Sequence, residues 1–296
     1  MAARALNIVG AGSSAGAYAP GQEKAPDAFR RHGLVKALAR NGRTIRDHGD
    51  VASFRRRPDL LRPKAMNAKA VRHAAESVAT AVAAAISAQE DVLVLGGDCT
   101  MELGTVAGTN SVGARIGLIY IDFDADLNTP DTSDGALDWT GVAHLLDVPG
   151  CEQSLADIGP KRPMLAPAQL LYFAVENITP PEAAAIRDRS IEVIPHDDAM
   201  RDIESATACA ARWAERFDCL LIHFDADALS YVDFPIAENV RRCDGLKMEH
   251  AAYALKRLCS LPQWRGLTIT EVNPDHAPDE AVAFARLNDV LADALG

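Results

Sequence analysis

Two short stretches of the sequence place carboxylates at a spacing that suits a metal site. The tetrapeptide Phe-Asp-Ala-Asp occurs at residues 123–126 and again at 224–227, each time after a run of aliphatic residues. Side chains alternate between the two faces of a strand, so Asp122, Asp124 and Asp126 start out on one side of the first strand. Asp225 and Asp227 share one side of the second. Because parallel strands end at a common edge of their sheet, the five aspartates are expected to converge there.

Five neighbouring carboxylates repel one another, and without a countercharge several of them would hold protons. Divalent cations with a preference for oxygen ligands, such as Mg²⁺, Mn²⁺ or Ca²⁺, would supply that charge. Aspartates shared between two ions form a two-metal site that activates water. A third apolar run leads into Gly96-Gly97-Asp98-Cys99, where the glycines allow a close backbone approach and Cys99 is a candidate ligand. Simple packing is the alternative role of a lone buried cysteine.

The elements that position these residues alternate along the chain. Short aliphatic runs without alternation indicate strands buried on both faces of a parallel sheet, at residues 6–9, 92–95, 116–121, 170–175, 191–194, 219–224 and 267–269, with a more polar eighth at 44–51. Helices are predicted over 64–88, from Pro180 to 189, and over 202–216, 247–259 and 277–295. This order predicts one three-layer α/β domain over residues 1–296. The irregular stretches 10–30, 126–141 and 228–246 are long enough to suggest functional loops.

Composition excludes several classes of function. The net charge of the 296-residue chain is −11, and no basic cluster is large enough to follow a phosphate backbone, so no nucleic-acid partner is expected. The six cysteines form no C-x-x-C pair, which argues against a disulfide framework or a zinc ribbon. The longest apolar stretch is too short to span a bilayer, and no signal peptide is evident. These features predict a cytoplasmic protein without a membrane partner.

Four segments, taken together, resemble the ureohydrolases, the superfamily of arginase, agmatinase and formiminoglutamase. That family reads GGDH, D-A-H-x-D-x-N, S/H-F-D-x-D and E-x-N-P, whereas this chain reads GGDC at 96–99, DFDADLN at 122–128, HFDAD at 223–227 and EVNP at 271–274. The resemblance covers nearly the whole chain. It implies an arginase-like fold with a mainly parallel eight-stranded sheet between helical layers. It also implies two Mn²⁺ ions and a bridging hydroxide that attacks the carbon of a guanidinium or related C–N group.

The resemblance assigns roles to individual residues. Asp122 and Asp225 would bridge the two ions, Asp126 would bind the first ion and Asp227 the second. Substrate contacts would come from Asn128, from Glu182, which is kept within a segment that reads an amino-acid head group in arginases, and from Glu271, which would orient the guanidinium. In the same segment Thr179 takes the place of an acidic residue, so recognition of an α-amino group is not expected from it.

The chain departs from the family at its metal-binding histidines, which are replaced by Cys99 and Asp124. With two divalent ions the family's four aspartates sum to zero charge, whereas five aspartates leave one excess negative charge, or two if Cys99 is a thiolate. Extra negative charge holds cations well but weakens their effect on bound water. The proton-shuttle position reads Asp138-Trp139, so Asp138 is a catalytic candidate. His144, nearby, is either a substitute shuttle or a helix residue with no catalytic role.

Three functions follow from these residues. The first is a metal-dependent hydrolase of a guanidino or related C–N bond, similar to arginase, agmatinase or N-hydroxyarginine hydrolase, acting on a small-molecule substrate. The second is a catalytically impaired pseudoenzyme or regulatory subunit that keeps the fold. The third is a two-metal hydrolase of a different bond. The resemblance also implies a homo-oligomer, whether dimer, trimer or hexamer.

Overall fold

The computed structural model describes residues 3–296 and contains one sheet of eight strands. All neighbouring strands pair in parallel, in the order β2-β1-β3-β8-β7-β4-β5-β6. The strands are β1 (Leu6–Ser13), β2 (Ile45–Phe54), β3 (Asp91–Leu95), β4 (Ile116–Ile121), β5 (Leu170–Val175), β6 (Glu192–Pro195), β7 (Cys219–Asp225) and β8 (Trp264–Thr270). The predicted eight-stranded parallel sheet is therefore confirmed.

Burial along the strands follows the sequence pattern. Every residue of β3, β4, β5 and β7 is buried, as the continuous aliphatic runs predict for strands covered on both faces. The polar run at 44–51 largely coincides with β2, which lies at one edge of the sheet and has five exposed residues and one buried residue among its ten. At the other edge, β6 is likewise only partly covered.

Eleven helices accompany the sheet in the described part of the chain. They are α1 (Ala25–Arg31), α2 (Leu34–Leu38), α3 (Ala68–Ser87), α4 (Met101–Asn110), α5 (Gly141–Leu145), α6 (Gln153–Ala156), α7 (Pro180–Arg189), α8 (His196–Arg201), α9 (Ile203–Ala214), α10 (Met248–Cys259) and α11 (Glu280–Leu295). The predicted helices correspond to α3, α7, α9, α10 and α11. No helix within residues 3–296 combines the length and the apolar character needed to cross a bilayer.

Three apolar clusters hold the helices on the two faces of the sheet. One cluster contains residues of α1, α2, α8, α9, α10 and α11, and the other two contain or pack against residues of α3 to α7. Helix α4 is buried along its whole length and packs closely on α3. A Cβ atom at Gly104 would lie 2.4 Å from the carbonyl oxygen of Ala75, so this approach requires glycine. Because α4 is buried on all sides, it lacks the amphipathic pattern by which a surface helix is predicted from sequence.

Four adjacent strands bring the chemical segments together. In the order β3-β8-β7-β4, the chain leaves each strand at the same carboxyl edge. The segments that follow contain Cys99, Glu271, Asp227 and Asp122, respectively. The topology therefore places residues from all four motifs at one site.

Candidate metal centre

A cavity of about 500 Å³ opens at the carboxyl edge of the sheet. All six predicted metal ligands line it, together with Asp138 and Glu271. The other lining residues are Tyr18, Asp134, Trp139, Asn177, Glu238, Asn239, Val240, Arg241 and Arg242. Three predicted site residues, Asn128, His144 and Glu182, are buried elsewhere and do not line the cavity.

The segment after β4 turns sharply as it enters the cavity. The backbone N–H of Asp124 donates to Asp122 Oδ1 at 2.8 Å, and the hydroxyl of Tyr120 donates to Asp126 Oδ2 at 2.6 Å. Asp126 has a φ of +49°, in the left-handed region. This turn ends the strand alternation before Asp126, yet the three aspartates still line the same cavity. Asp122 and Asp126 are 1% and 6% exposed, so their charges are largely removed from water.

Asp225 connects the segment after β7 to that after β3. Its Oδ1 accepts from the backbone N–H of Asp227 at 2.7 Å, and its Oδ2 accepts from the Cys99 thiol at 2.6 Å. The Cys99 Sγ also lies 3.4 Å from Thr270 Oγ1. Burial, followed by the neighbouring charge of Asp225, raises the pKa of Cys99 well above its ordinary value. Without a cation, Cys99 is therefore a neutral thiol that donates to a carboxylate.

Glu271 is held at the cavity by backbone contacts that depend on Gly97. The Glu271 backbone N–H donates to Gly97 O at 2.8 Å, and Glu271 has a φ of +57°. Its Oε1 accepts from the backbone N–H of Cys99 at 3.2 Å, and its Oε2 accepts from Gln22 Nε2 at 2.7 Å. The carboxylate is thus oriented by two donors from different segments of the chain.

Burial and mutual repulsion perturb the carboxyl groups of the cavity. The pKa values of Asp122, Asp227 and Glu271 are raised well above the ordinary range, first by burial and then by the charge of Asp225. The pKa of Asp126 is raised in the same direction, mainly by burial. These groups therefore retain protons to higher pH than ordinary carboxyls unless a cation balances them.

The donor set fits divalent cations. Ligand atoms of Cys99, Asp122, His223 and Asp225 lie within 4.8 Å of one another, and those of Asp122, Asp124 and Asp227 form a second such group. The two groups share Asp122. The buried Asp227 Oδ1 has no hydrogen-bond partner within residues 3–296, so one ligand oxygen is free to bind an ion. Mostly carboxylate donors, with one thiol and one imidazole, suit hard or intermediate divalent ions.

Arg242 belongs to the site but was not identified from the sequence. Its Nη2 donates to Asp124 Oδ2 at 2.7 Å, and its guanidinium lies 3.9 Å from the centre of the Phe123 ring. Asn177 Nδ2 donates to the other oxygen of Asp124. Both side chains are largely shielded from water, with 13% of Arg242 and 14% of Asp124 exposed. Arg242 comes from the irregular stretch 228–246, where no periodic pattern indicates which side chains turn inward.

This arginine changes the charge count at the site. The five aspartates carry five negative charges when ionised, and Arg242 contributes one positive charge. Two divalent cations would then bring the total to zero if Cys99 stays a thiol, and to one negative charge if Cys99 binds an ion as a thiolate. Arg242, which the sequence count left out, therefore removes one of the excess negative charges predicted from the sequence.

His223 is a second residue that sequence reasoning did not single out. It is fully buried in β7 beneath Asp225, and its ring stacks on Tyr120 at 4.0 Å between ring centres. Its Nδ1 lies 3.4 Å from a carboxylate oxygen of buried Glu102. The period-two rule places His223 on the same face of β7 as Asp225, so the sequence did contain a signal for its position.

The two candidates for a proton shuttle occupy different places. Asp138 lines the cavity, where its carboxylate accepts from the backbone N–H groups of Tyr18 at 3.2 Å and Trp139 at 3.0 Å. Burial, followed by the charge of Asp98, raises the pKa of Asp138 well above its usual range. His144 lies in α5 away from the cavity, with Nδ1 at 2.5 Å from Thr140 O and Nε2 accepting from the Glu152 backbone N–H at 3.0 Å. Both ring nitrogens are thus engaged, which matches its interpretation as a helix residue.

The buried His144 should make stability depend on pH. Burial lowers its pKa from 6.5 to about 4, so its contribution is complete above pH 6.5 and is lost as the pH falls towards 4. Between these values the unfolded chain binds a proton that the folded protein does not. Thermal denaturation from pH 4 to 7 should show that His144→Gln flattens this dependence, by up to about 3 kcal/mol over the range. Equal pH slopes in the two proteins would contradict the assignment.

The two remaining substrate candidates, Glu182 and Asn128, are buried outside the lining of the cavity. Glu182 Oε1 accepts from the backbone N–H of Leu127 at 2.9 Å, and its Oε2 accepts from that of Thr179 at 2.8 Å. It therefore caps α7 and anchors the loop that carries the aspartates. Asn128 is buried, and its Oδ1 has no partner among residues 3–296. Direct contact between substrate and either residue stays a prediction.

Comparison with known proteins gives a consistent family relationship. A model of the Arginase family matches residues 4–293. Human mitochondrial arginase-2 is 30% identical over 311 residues, covering 98% of this chain and 84% of that protein. The arginase structure from Bacillus caldovelox superposes with a TM-score of 0.89 at 24% identity and covers 99% and 98% of the two chains. Formimidoylglutamase from Bacillus subtilis superposes with a TM-score of 0.77 at 18% identity, covering 100% and 87%.

Proposed function

The chain belongs to the arginase family, and on that premise we propose that it hydrolyses a C–N bond of a guanidino compound in the acidic cavity. The observation that supports this most is the convergence of Asp122, Asp126, Asp225 and Asp227 with Glu271 around one space of about 500 Å³. Water adds to the guanidino carbon, the bond from that carbon to the substituted nitrogen breaks, and the products are urea and an amine.

The cations that we propose are two Mn²⁺ ions. Cys99, Asp122, His223 and Asp225 would hold one, and Asp122, Asp124 and Asp227 the other, because these are the two groups whose ligand atoms lie close together. Asp126, which accepts a hydrogen bond from the Tyr120 hydroxyl, would be a further ligand of the first ion. When bound, the ions would supply an activated water and polarise the C–N carbon.

Glu271 orients the substrate in this proposal. A guanidinium is planar and presents pairs of N–H donors, which a carboxylate can accept in parallel. The Glu271 carboxylate is fixed by Cys99 N–H and by Gln22, so its position is set before the substrate arrives. The surrounding aspartates also favour a cationic group over a neutral one.

Asp138 provides the proton in this proposal. Burial, followed by the charge of Asp98, raises the pKa of Asp138 well above the ordinary range, so this carboxyl keeps its proton to a higher pH than an ordinary carboxyl does. A protonated carboxyl at the cavity wall can donate to the departing nitrogen as a general acid. Asp138 stands at the shuttle position suggested by the family resemblance, and His144 has no free ring nitrogen with which to replace it.

A second candidate function is a non-catalytic member of the family. One observation favours it, namely that both carboxylate oxygens of Asp124 already accept hydrogen bonds, from Arg242 and from Asn177. A metal ion would have to compete with these two hydrogen-bond donors for the oxygens of Asp124. This candidate requires that the cavity binds small molecules without breaking their bonds.

A urea-release assay separates the two functions. The protein is loaded with Mn²⁺, freed of excess metal, and incubated with arginine, agmatine, N-hydroxyarginine and a series of guanidino acids. We expect Mn²⁺-dependent release of urea, or of hydroxyurea in the case of N-hydroxyarginine, from at least one compound, and loss of that activity after treatment with a chelator. Absence of both products from every compound, with protein that demonstrably holds Mn²⁺, would contradict the proposed hydrolysis and favour the non-catalytic function.

A further inference from the structure

The cavity has charges of opposite sign on different walls. Its deep part is built from carboxylates at the strand ends, whereas one wall, formed by residues 238–242, carries two adjacent arginines together with Glu238, whose carboxylate accepts from Asn273 Nδ2 at 2.7 Å. Arg241 is exposed and forms no ion pair within residues 3–296, while Arg242 is 13% exposed. These are the only cationic side chains among the residues that line the cavity in the described part of the chain.

Arg242 is fixed in place before any ligand binds. The ring of Phe123 lies beneath its guanidinium, and Asp124 accepts from its Nη2. Stacking on an aromatic face and an ion pair to a buried carboxylate both restrict the rotation of the long side chain. Little conformational entropy is therefore left to lose when a ligand binds to the group.

Most of the hydrogen-bonding capacity of Arg242 remains unused. Within residues 3–296, Nη2 alone has a protein acceptor, although a guanidinium presents five N–H donors. In that part of the chain, the Nε–H is buried without a partner, whereas Nη1, which also lacks a protein acceptor, is not buried and can meet a ligand in the cavity. The group that best matches a guanidinium edge is a carboxylate, which accepts two parallel N–H bonds.

We propose that Arg242 binds the carboxylate of the substrate and that the substrate is therefore a guanidino acid. Its guanidinium lies among the carboxylates near Glu271, and its carboxylate reaches the wall of residues 238–242, with Arg241 adding positive charge at the exposed end. This inference rests on the proposed function, since it identifies the substrate class of the same site. An ammonium at the tail, as in agmatine, would instead face two arginines.

Ligands of similar length that differ in the charge of the tail test this proposal. The probes are 4-guanidinobutyrate, butylguanidine and agmatine, which end in a carboxylate, a methyl group and an ammonium. Binding to Mn²⁺-loaded protein is measured by calorimetry, and urea release is measured separately. We expect 4-guanidinobutyrate to bind about tenfold to a hundredfold more tightly than butylguanidine, the range that hydrogen bonds to a charged group provide.

Variants identify the residue responsible. Arg242→Gln should abolish the preference for 4-guanidinobutyrate, measured as the ratio of its affinity to that of butylguanidine on the same variant, and Arg242→Lys should restore this ratio only in part, because lysine lacks the planar fork. Arg57→Gln is the matched control, since Arg57 also stacks on a phenylalanine, at 5.4 Å from the Phe54 ring centre, but does not line the cavity. Comparing ligands on the same variant cancels any general effect on the site of leaving Asp124 unpaired.

Ligand affinity tests the role of Arg242, and urea release tests the proposed hydrolysis, so the two claims can fail separately. Equal affinity for the acid and butylguanidine, or a preference that survives Arg242→Gln, overturns the role of Arg242 even if urea is released. Carboxylate-selective binding that depends on Arg242, with no urea from any probe, supports the role of Arg242 and overturns the proposed hydrolysis.

Discussion

Asp225→Asn should reduce urea release by at least about 1000-fold and weaken Mn²⁺ binding by at least about 100-fold. Asp225 contacts the Cys99 thiol with one carboxylate oxygen and the backbone of Asp227 with the other, so it links two of the converging segments. Asparagine has nearly the same shape and keeps one oxygen for Asp227, but it lacks the negative charge and the second oxygen. Steady-state kinetics and calorimetric metal titration measure the two losses.

Stability measurements test whether Asp225→Asn loses activity and metal binding only because the variant is less stable. After burial, the charge of Asp225 is the next cause that raises the pKa of Asp122 and of Asp227, so its removal relieves repulsion in the metal-free protein. The melting temperature of metal-free Asp225→Asn should therefore be no lower than that of the parent. Asp218→Asn, at a side chain 67% exposed just before β7, is the control and should leave metal binding and activity unchanged. Parental metal affinity in Asp225→Asn would refute its assignment as a ligand.

Gly97→Ala should lower the free energy of unfolding by about 3 kcal/mol or more. An added Cβ would lie 1.7 Å from the carbonyl oxygen of Ser13 and 2.5 Å from its carbonyl carbon, both backbone atoms that cannot rotate away. Either the end of β1 or the segment 96–99 would have to move. The shift would carry Cys99 and Glu271 with it, because the Glu271 backbone N–H bonds to Gly97 O. Denaturant unfolding and metal titration report the two consequences.

Gly141→Ala is the matched control for Gly97→Ala. Gly141 begins α5 with a φ of −54°, and the nearest atom to an added Cβ is the Tyr120 hydroxyl at 3.7 Å. Alanine favours the helix by up to about 1 kcal/mol, so this variant should be as stable as the parent or more so. Similar stability losses in the two variants would show that the contact with Ser13 is not the cause.

The fold was predictable because its strands are buried on both faces. Continuous aliphatic runs such as 116–121 and 219–224 have few alternative structures once they alternate with amphipathic helices. Convergence of Asp122 and Asp225 also followed from the sequence, since parallel strands end at one edge. The fully buried α4 was not predicted, because none of its faces is exposed and its polar residues, such as Glu102 and Thr105, are buried too. The cytoplasmic location and the homo-oligomer stay predictions.

The parts of the site that the sequence did not reveal come from loops. Arg242 reaches Asp124 across 118 positions of the chain, and nothing in the spacing of residues 228–246 indicates that contact. His144 resembled a shuttle because of its nearness in sequence to Asp138, but α5 directs its ring to Thr140 and Glu152. Side-chain direction in such segments depends on tertiary packing, which a period in the sequence does not record.

The central claim is that the aspartates after β4 and β7 hold catalytic divalent cations. Anomalous diffraction at the manganese edge, from a crystal soaked in Mn²⁺, tests it most directly. We predict two anomalous peaks about 3.5–4 Å apart, with Asp122 contacting both ions. The ions should lie against Cys99 and Asp225 on one side and Asp227 on the other. No anomalous peak among these residues, in a crystal whose cavity is open to solvent, would contradict the claim.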